Sequence, residues 1–289
     1  MTKPRFLIAE GEPEEARENR RASVGRSSGE TYEALLERLA PGAHTVRIKP
    51  ADGPHELPSG DDIASFDAVF LTGSPLHLYQ ETPEIRREVV FMRAVFEAGV
   101  PAFGSCAGLQ LATVAAGGRV RPMEDRREAG FARRIHPTDA GSAHPLLAGR
   151  PPAFDAPAIH TDEVARLPDG CVLLASNAVT HVQAAEIRHG AGVFWGVQYH
   201  PEISLHETAA ALHRQADDLV EHGLAPSRGV VETHANLIQQ LHEAPDRRDL
   251  RWRLGLDDQV VDPQSRSREI ANFIERLVLP TRSQRLRDR

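Results

Sequence analysis

A single cysteine between a predicted strand and a predicted helix constrains this chain more than any other feature. The apolar run 99–103 predicts a short buried strand, and residues 109–116 predict a helix that ends at two glycines. Cys106 lies between them, with Gly104 and Gly108 two residues away on either side. This is the spacing of a nucleophile elbow, where small neighbours permit a tight turn. The helix dipole favours a thiolate there. A core cysteine beside an ordinary turn is the alternative.

A second segment supplies the partners that a nucleophilic thiol needs. Residues 191–198 predict an apolar strand, and it is followed by His200 and Glu202. Side chains two apart on an extended chain point the same way, so Glu202 can orient one ring nitrogen of His200 while the other faces a thiol. A base, an orienting carboxylate and Cys106 together form a triad assembled by the fold. A solvated histidine and glutamate at a strand end is the alternative.

Strands and helices alternate along the first two thirds of the chain. Strands are predicted at 5–9, 44–48 and 66–71, and helices at 29–39 and 84–98. This alternation predicts an α/β fold with a mostly parallel central sheet flanked by helices. The turn after the strand at 66–71 and the elbow at Cys106 both lie at carboxyl ends of strands, where such sheets build their sites.

The two ends of the chain differ from this pattern. Residues 10–28 are charged and poor in apolar side chains, and we predict a loop, with a segment that orders over the site as the alternative. From residue 205 the pattern becomes helical. We predict one α/β domain at 1–204 and a helical C-terminal extension at 205–289, packed on it and ending in a basic frayed tail at 281–289.

Composition excludes several classes of protein. A formal net charge of -7 argues against nucleic acid or an anionic membrane as a partner. No apolar run approaches the ~18 residues of a membrane span, and no signal peptide is evident, so we predict a cytoplasmic protein. The two cysteines, Cys106 and Cys171, and the fourteen histidines have no metal-ligand spacing. We predict no metal, no cofactor, and a buried structural thiol at Cys171.

The cysteine and histidine segments resemble the class I, Cys-His-Glu type glutamine amidotransferases. Further matches lie in order at 71–75, 127–131 and 160–164, so the resemblance covers roughly residues 60–205. The stand-alone proteins similar to the amidotransferase domain of GMP synthase are the most alike. The resemblance implies a flavodoxin-like three-layer fold. It also implies that Cys106 forms a γ-glutamyl thioester, that His200 is the acid and base, and that Glu202 holds the imidazole.

The resemblance assigns six further residues. Backbone N–H groups at the elbow and at the preceding turn would form the oxyanion hole, and three side chains would bind the substrate; the former are Ala107, Gly73 and Ser74, and the latter are Gln110, His160 and Thr161. The chain departs from the family at two places. It has Gly73-Ser74-Pro75 where Gly-Gly-Pro or Asn-Gly-Pro is usual, and Ser105 where a branched apolar residue is frequent.

Three functions fit these observations. We favour a glutaminase that releases ammonia from glutamine for an acceptor; because the chain has no glycine-rich nucleotide loop, the synthetase would be a separate chain. A hydrolase of γ-glutamyl peptides or amides on the same fold is the alternative, and the variant Ser74 keeps it open. A non-catalytic binding or regulatory protein is disfavoured because all three triad residues are present. A homo-oligomer stays open.

Overall fold

The protein is built on one large mixed sheet, seen in a computed structural model that describes residues 3–123 and 127–287. The strands in chain order are β1 (Arg5–Ala9), β2 (His44–Ile48), β3 (Ala68–Leu71), β4 (Ala102–Ser105), β5 (Arg119–Pro122), β6 (Glu128–Pro137), β7 (Phe154–His160), β8 (Asp162–Arg166), β9 (Val172–Ser176), β10 (Ala184–His189) and β11 (Gly192–Val197).

The large sheet combines a parallel half with an antiparallel half. Within the described residues its nine strands have the order β2-β1-β3-β4-β11-β10-β9-β6-β7, and β5 pairs with β8 separately. The first five strands in this order, β2, β1, β3, β4 and β11, run parallel to one another. The remaining four, β10, β9, β6 and β7, each pair antiparallel with the strand before them. The predicted parallel centre is confirmed, and it includes both strands that lead into the cysteine and histidine segments.

Helices cover both faces of the sheet and form the C-terminal part of the chain. They are α1 (Glu14–Val24), α2 (Ser28–Leu39), α3 (Gly60–Ala64), α4 (Pro83–Ala98), α5 (Ala107–Ala115), α6 (Asp139–Ala143), α7 (Leu205–Arg214), α8 (Ala216–Glu221), α9 (Arg228–Glu243), α10 (Arg248–Leu254), α11 (Asp258–Val261), α12 (Pro263–Arg266), α13 (Arg268–Phe273) and α14 (Leu279–Arg287). A π-helical stretch, Ile274–Val278, joins the last two.

The layering follows from strands that are apolar on both faces. Along β1, Phe6 and Ile8 enter one core with α2 and α13, while Leu7 enters a second core with α4 and α5. Alternate side chains of a strand point to opposite faces, so a wholly apolar strand needs a helical layer on each side. The predicted three-layer α/β class is therefore confirmed.

The C-terminal helices pack as an integral part of the molecule. Side chains of α7, α9 and α10 form a third core, and α13 inserts Phe273 into the sheet core, where its ring centroid lies 5.5 Å from that of Phe70 and 5.6 Å from that of Phe103. A buried ion pair between Arg150 and Glu269 of α13, at 2.6 Å, adds a polar tie. The division at residue 204 stays a prediction.

The basic C-terminus is helical as far as the structure describes it. Helix α14 continues to Arg287, and Arg285 donates from Nη2 to the carbonyl oxygen of Gly99 at 2.6 Å. Residues 281–287 thus have helical form, with guanidinium groups that reach the carbonyl oxygens of Phe66 and Gly99, and fraying of this tail stays a prediction. Residues 288 and 289 lie outside the described residues.

The charged segment 10–28 contains a helix, so the predicted loop is wrong. Helix α1 has two glutamates in its first turn and ends at Gly25, whose φ of 82° suits a glycine cap. Its buried side chain is Arg17, which donates to Asp52 at 3.0 Å. Charge pairs and capping hold this helix, and hydrophobic periodicity does not detect such support.

Across residues 3–123 and 127–287, no helix combines the length and apolar character needed to cross a membrane.

Candidate active site

Cys106 occupies a strained turn between β4 and α5. Its φ of 53° and ψ of -111° are unusual for a residue with a side chain, and its N–H donates to the carbonyl oxygen of Val197 at 2.8 Å. A Cβ on Gly104 would lie 2.9 Å from the backbone of Gly108, and one on Gly108 would lie 2.8 Å from the carbonyl oxygen of Leu71. Both glycines are therefore required by close backbone approach, as the elbow predicts.

His200 and Glu202 follow β11, which pairs in parallel with β4, so the two segments meet at one end of the sheet. The Nδ1 atom of His200 lies 2.6 Å from Oε1 of Glu202, which leaves Nε2 as the ring nitrogen that can exchange a proton with Cys106. Burial alone lowers the pKa of His200, but the charges of Glu202 and Cys106 and the hydrogen bonds to both raise it to about 10. The imidazole is thus held ready to carry a proton.

A buried hydroxyl chain supports the carboxylate from behind. Ser105 donates to Oε1 of Glu202 at 2.9 Å, and Oη of Tyr32 lies 2.8 Å from Oγ of Ser105. Because Ser105 has one proton and donates it to the carboxylate, Tyr32 must be the donor to Ser105. The sequence singled out Ser105 as a departure from the family, but Tyr32 carried no signal beyond its place in an amphipathic helix.

The turn predicted to complete the oxyanion hole lies beside the imidazole. A Cβ on Gly73 would lie 3.0 Å from Cε1 of His200. The side chain of Ser74 shapes the turn by donating to the carbonyl oxygen of Gly11 at 2.7 Å and accepting from the N–H of Leu76 at 3.1 Å. Ala107 opens α5 directly after the cysteine. The structure therefore brings the three predicted oxyanion residues to the same end of the sheet as the triad.

The three predicted substrate-binding residues also border the cleft at Cys106. Nε2 of Gln110 donates to the carbonyl oxygen of Asp162 at 3.0 Å. Both ring nitrogens of His160 have protein partners, the carbonyl oxygen of Asp162 at 3.0 Å and Oε2 of Glu128 at 2.8 Å. We therefore expect His160 to hold the wall of the cleft, and Thr161 and Gln110 to remain the candidates for direct contact.

The cleft itself is large. Its volume is about 450 Å³, and its walls come from the turn after β3, the β7–β8 turn and, beyond these, helices α1 and α7. The two helices contribute charged side chains that sequence reasoning missed; these are Arg20, Glu207 and Arg214. No sequence pattern predicts that they meet at the cleft, because Arg20 and Glu207 are hydrogen-bonded although 187 positions separate them in the chain.

Within the two described ranges, no group of three or more His, Cys, Asp or Glu side chains could hold a metal ion.

Similarity to known proteins agrees with the geometry. The family model for glutamine amidotransferase class-I matches residues 29–217. A γ-glutamyl-L-1-hydroxyisopropylamide hydrolase from a Pseudomonas species is 38% identical, over 97% of this chain and 95% of that protein. The GMP synthase of Streptomyces avermitilis is 32% identical over 73% of this chain, but the match spans only 38% of that longer enzyme.

Solved structures share the fold at low sequence identity. A glutamine amidotransferase from Thermotoga maritima superposes with a TM-score of 0.64 at 15% identity, covering 96% of this chain and 99% of that one. Another, from Methylobacillus flagellatus, gives 0.58 at 17% identity, covering 94% and 96%. With a family model that covers most of the chain, a near full-length relative and this fold, the chain belongs to the class-I glutamine amidotransferase family.

Proposed function

We propose that this amidotransferase-type hydrolase cleaves γ-glutamyl amides whose leaving group is an organic amine. The observation that carries the proposal is the wall that α7 contributes to the Cys106 cleft. This helix begins at Leu205, beyond the His-Pro-Glu segment, and the family match ends soon after it at residue 217, whereas the similarity to a γ-glutamyl amide hydrolase covers 97% of this chain. A cleft of about 450 Å³ has room for a substrate larger than glutamine.

The residues divide the reaction between them. The thiolate of Cys106 attacks the γ-carbonyl carbon, and the oxyanion is stabilised by backbone N–H groups of Ala107 and of the turn at Gly73. His200 gives its proton to the amine nitrogen as the C–N bond breaks, leaving a γ-glutamyl thioester. Water then attacks the thioester, His200 takes the proton, and the C–S bond breaks to release glutamate. Glu202 keeps the imidazole oriented throughout.

Free glutamine as the substrate, with ammonia delivered to a separate synthetase, is the second candidate. The family model and the similarity to GMP synthases favour it. The same thioester forms, and only the leaving group and its exit differ. In either case the free thiol of Cys106 suits the reducing cytoplasm, which we propose as its location.

The two candidates are separated by substrate size. The purified full chain is assayed with glutamine, γ-glutamyl-1-hydroxyisopropylamide and γ-glutamyl dipeptides, and kcat/KM is compared. We expect the larger amides to be preferred by more than about tenfold, equivalent to ~1.4 kcal/mol in the transition state. Equal or better turnover of glutamine, or its stimulation by a co-purifying ATP-dependent ligase, would favour ammonia transfer instead.

A further inference from the structure

Helices α1 and α7 bring two guanidinium groups to the catalytic cleft. Arg20 of α1 and Arg214 of α7 both line it. Arg20 donates from Nη2 to Oε1 of Glu207 at 3.0 Å, and Arg214 donates from Nη1 to the hydroxyl of Ser23 at 2.6 Å. Two cations from separate helices therefore face one space that Glu12 also lines, and the carboxylate bonded to Arg20 is that of Glu207.

Both oxygens of the Glu207 carboxylate already accept hydrogen bonds from the protein. Oε1 of Glu207 also accepts from Thr31 at 2.6 Å, and Oε2 accepts from the N–H and the hydroxyl of Ser204 at 2.7 and 2.9 Å. The Nε atom of Arg20 is buried and has no hydrogen-bond partner. A buried donor without an acceptor is costly, so this nitrogen marks a position where an acceptor from a ligand would be favourable.

The two arginines also repel each other. Burial and then the charge of Arg20 lower the pKa of Arg214, and an anion placed between the two would relieve that repulsion. The other carboxyl groups that line the cleft already have partners in the protein. Burial raises the pKa of Glu12, the charge of Arg20 opposes that shift, and Oε2 of Glu12 accepts from the N–H of Ser28 at 3.2 Å. Oδ2 of Asp162 lies 2.7 Å from Nδ1 of His77.

We propose that Arg20 and Arg214 bind a carboxylate on the amine half of the substrate, so that the preferred substrates are γ-glutamyl amino acids. An α-amino acid head is a zwitterion and needs a free acceptor beside its donor, whereas the two carboxylates beside the arginines already accept hydrogen bonds, Glu207 from Thr31 and Ser204 and Glu12 from Ser28. The group without a partner is a donor, Nε of Arg20. The amine half of a γ-glutamyl amino acid has its nitrogen in the amide and presents a lone carboxylate. The inference rests on the proposed function and narrows its substrate class.

The test uses two substrates of one skeleton on the full-length enzyme. These are γ-glutamyl-alanine and γ-glutamyl-1-hydroxyisopropylamide, in which a hydroxymethyl group replaces the carboxylate. Wild type should prefer the carboxylate by at least about tenfold in kcat/KM, as expected for charge-assisted hydrogen bonds. Arg20→Gln and Arg214→Gln should each reduce that preference by at least about fivefold. Arg26→Gln, at an exposed position outside the cleft, is the matched control and should keep it.

The other outcomes would refute the role of the arginines, the preference for a carboxylate or the proposed function. If both variants lose activity equally on the two amides, the arginines bind the glutamyl α-carboxylate or support the fold. An α-carboxamide analogue of the neutral amide and a thermal unfolding curve then separate these two. Turnover of the neutral amide by wild type with no preference for the carboxylate would refute this inference alone. No turnover of any γ-glutamyl amide would refute the proposed function itself.

Discussion

Replacing Ser105 by alanine tests whether the hydroxyl chain behind the triad supports catalysis. The hydroxyl of Ser105 is fully buried and donates to Oε1 of Glu202 at 2.9 Å, the same oxygen that accepts from His200 at 2.6 Å. Water cannot readily replace the lost donor. A hydrogen bond to a charged group contributes about 1.5–3 kcal/mol, which sets an upper limit of roughly 10–150-fold on the rate effect. Because Glu202 keeps its bond to the imidazole, we expect kcat/KM to fall by about 5–30-fold.

The same substitution should also cost stability, by a separable route. Alanine leaves the hydroxyl of Tyr32 buried without an acceptor, which costs about 1–3 kcal/mol of unfolding free energy. Adding Tyr32→Phe to Ser105→Ala removes that unpaired hydroxyl, so the double variant should recover stability but not activity. Tyr32→Phe alone keeps the bond from Ser105 to Glu202 and should lose less than about threefold in kcat/KM. Wild-type kcat/KM for Ser105→Ala at every pH, or activity restored in the double variant, would refute the reasoning.

The other predictions concern the triad and a buried ion pair. Cys106→Ala should abolish hydrolysis while the protein still folds, and kcat/KM of Cys171→Ala should stay within a few fold of wild type. An electrophilic glutamine analogue should modify Cys106, and labelling of Cys171 instead would contradict the assignment. His200→Asn should cost more than Glu202→Gln, since acid–base catalysis contributes roughly 10²–10⁴-fold. The protonated form of His200 persists to about pH 10, so kcat/KM should decline above that pH, and the decline should move to lower pH in Glu202→Gln. Glu269→Gln should destabilise the protein by about 3–5 kcal/mol in thermal unfolding, because it leaves a buried guanidinium unpaired; a change below 1 kcal/mol would contradict that view of the pair.

The tight turn at Cys106 could be predicted because its causes are local. The spacing of Gly104, Cys106 and Gly108 predicts where the backbone turns tightly, and the apolar runs on either side predict that this turn joins a strand to a helix. His200 and Glu202 are two residues apart, so their mutual orientation is also a property of a short segment. For the same reason β1 and β2 were predicted with the bounds that the structure shows.

Long-range contacts lay beyond sequence reasoning. Helix α1 is held by ion pairs such as Arg17 with Asp52, and these partners are 35 residues apart. The C-terminal helix makes contacts such as that of Arg285 with Gly99, which are 186 residues apart. Neither segment has the hydrophobic periodicity on which helix prediction depends, because charge pairing leaves no regular pattern along a chain.

The sequence by itself determined the fold class and the position of Cys106 in a strand–turn–helix elbow, because strand, turn and cysteine are specified by residues next to one another. Only the tertiary structure decided what surrounds that elbow. It placed Tyr32 behind Ser105 across 73 residues, and it brought Arg20 to Glu207 across 187 residues at the cleft. The physical reason is that the support of the triad and the charge of the cleft are sums over side chains from distant segments, and only the folded chain brings those segments together.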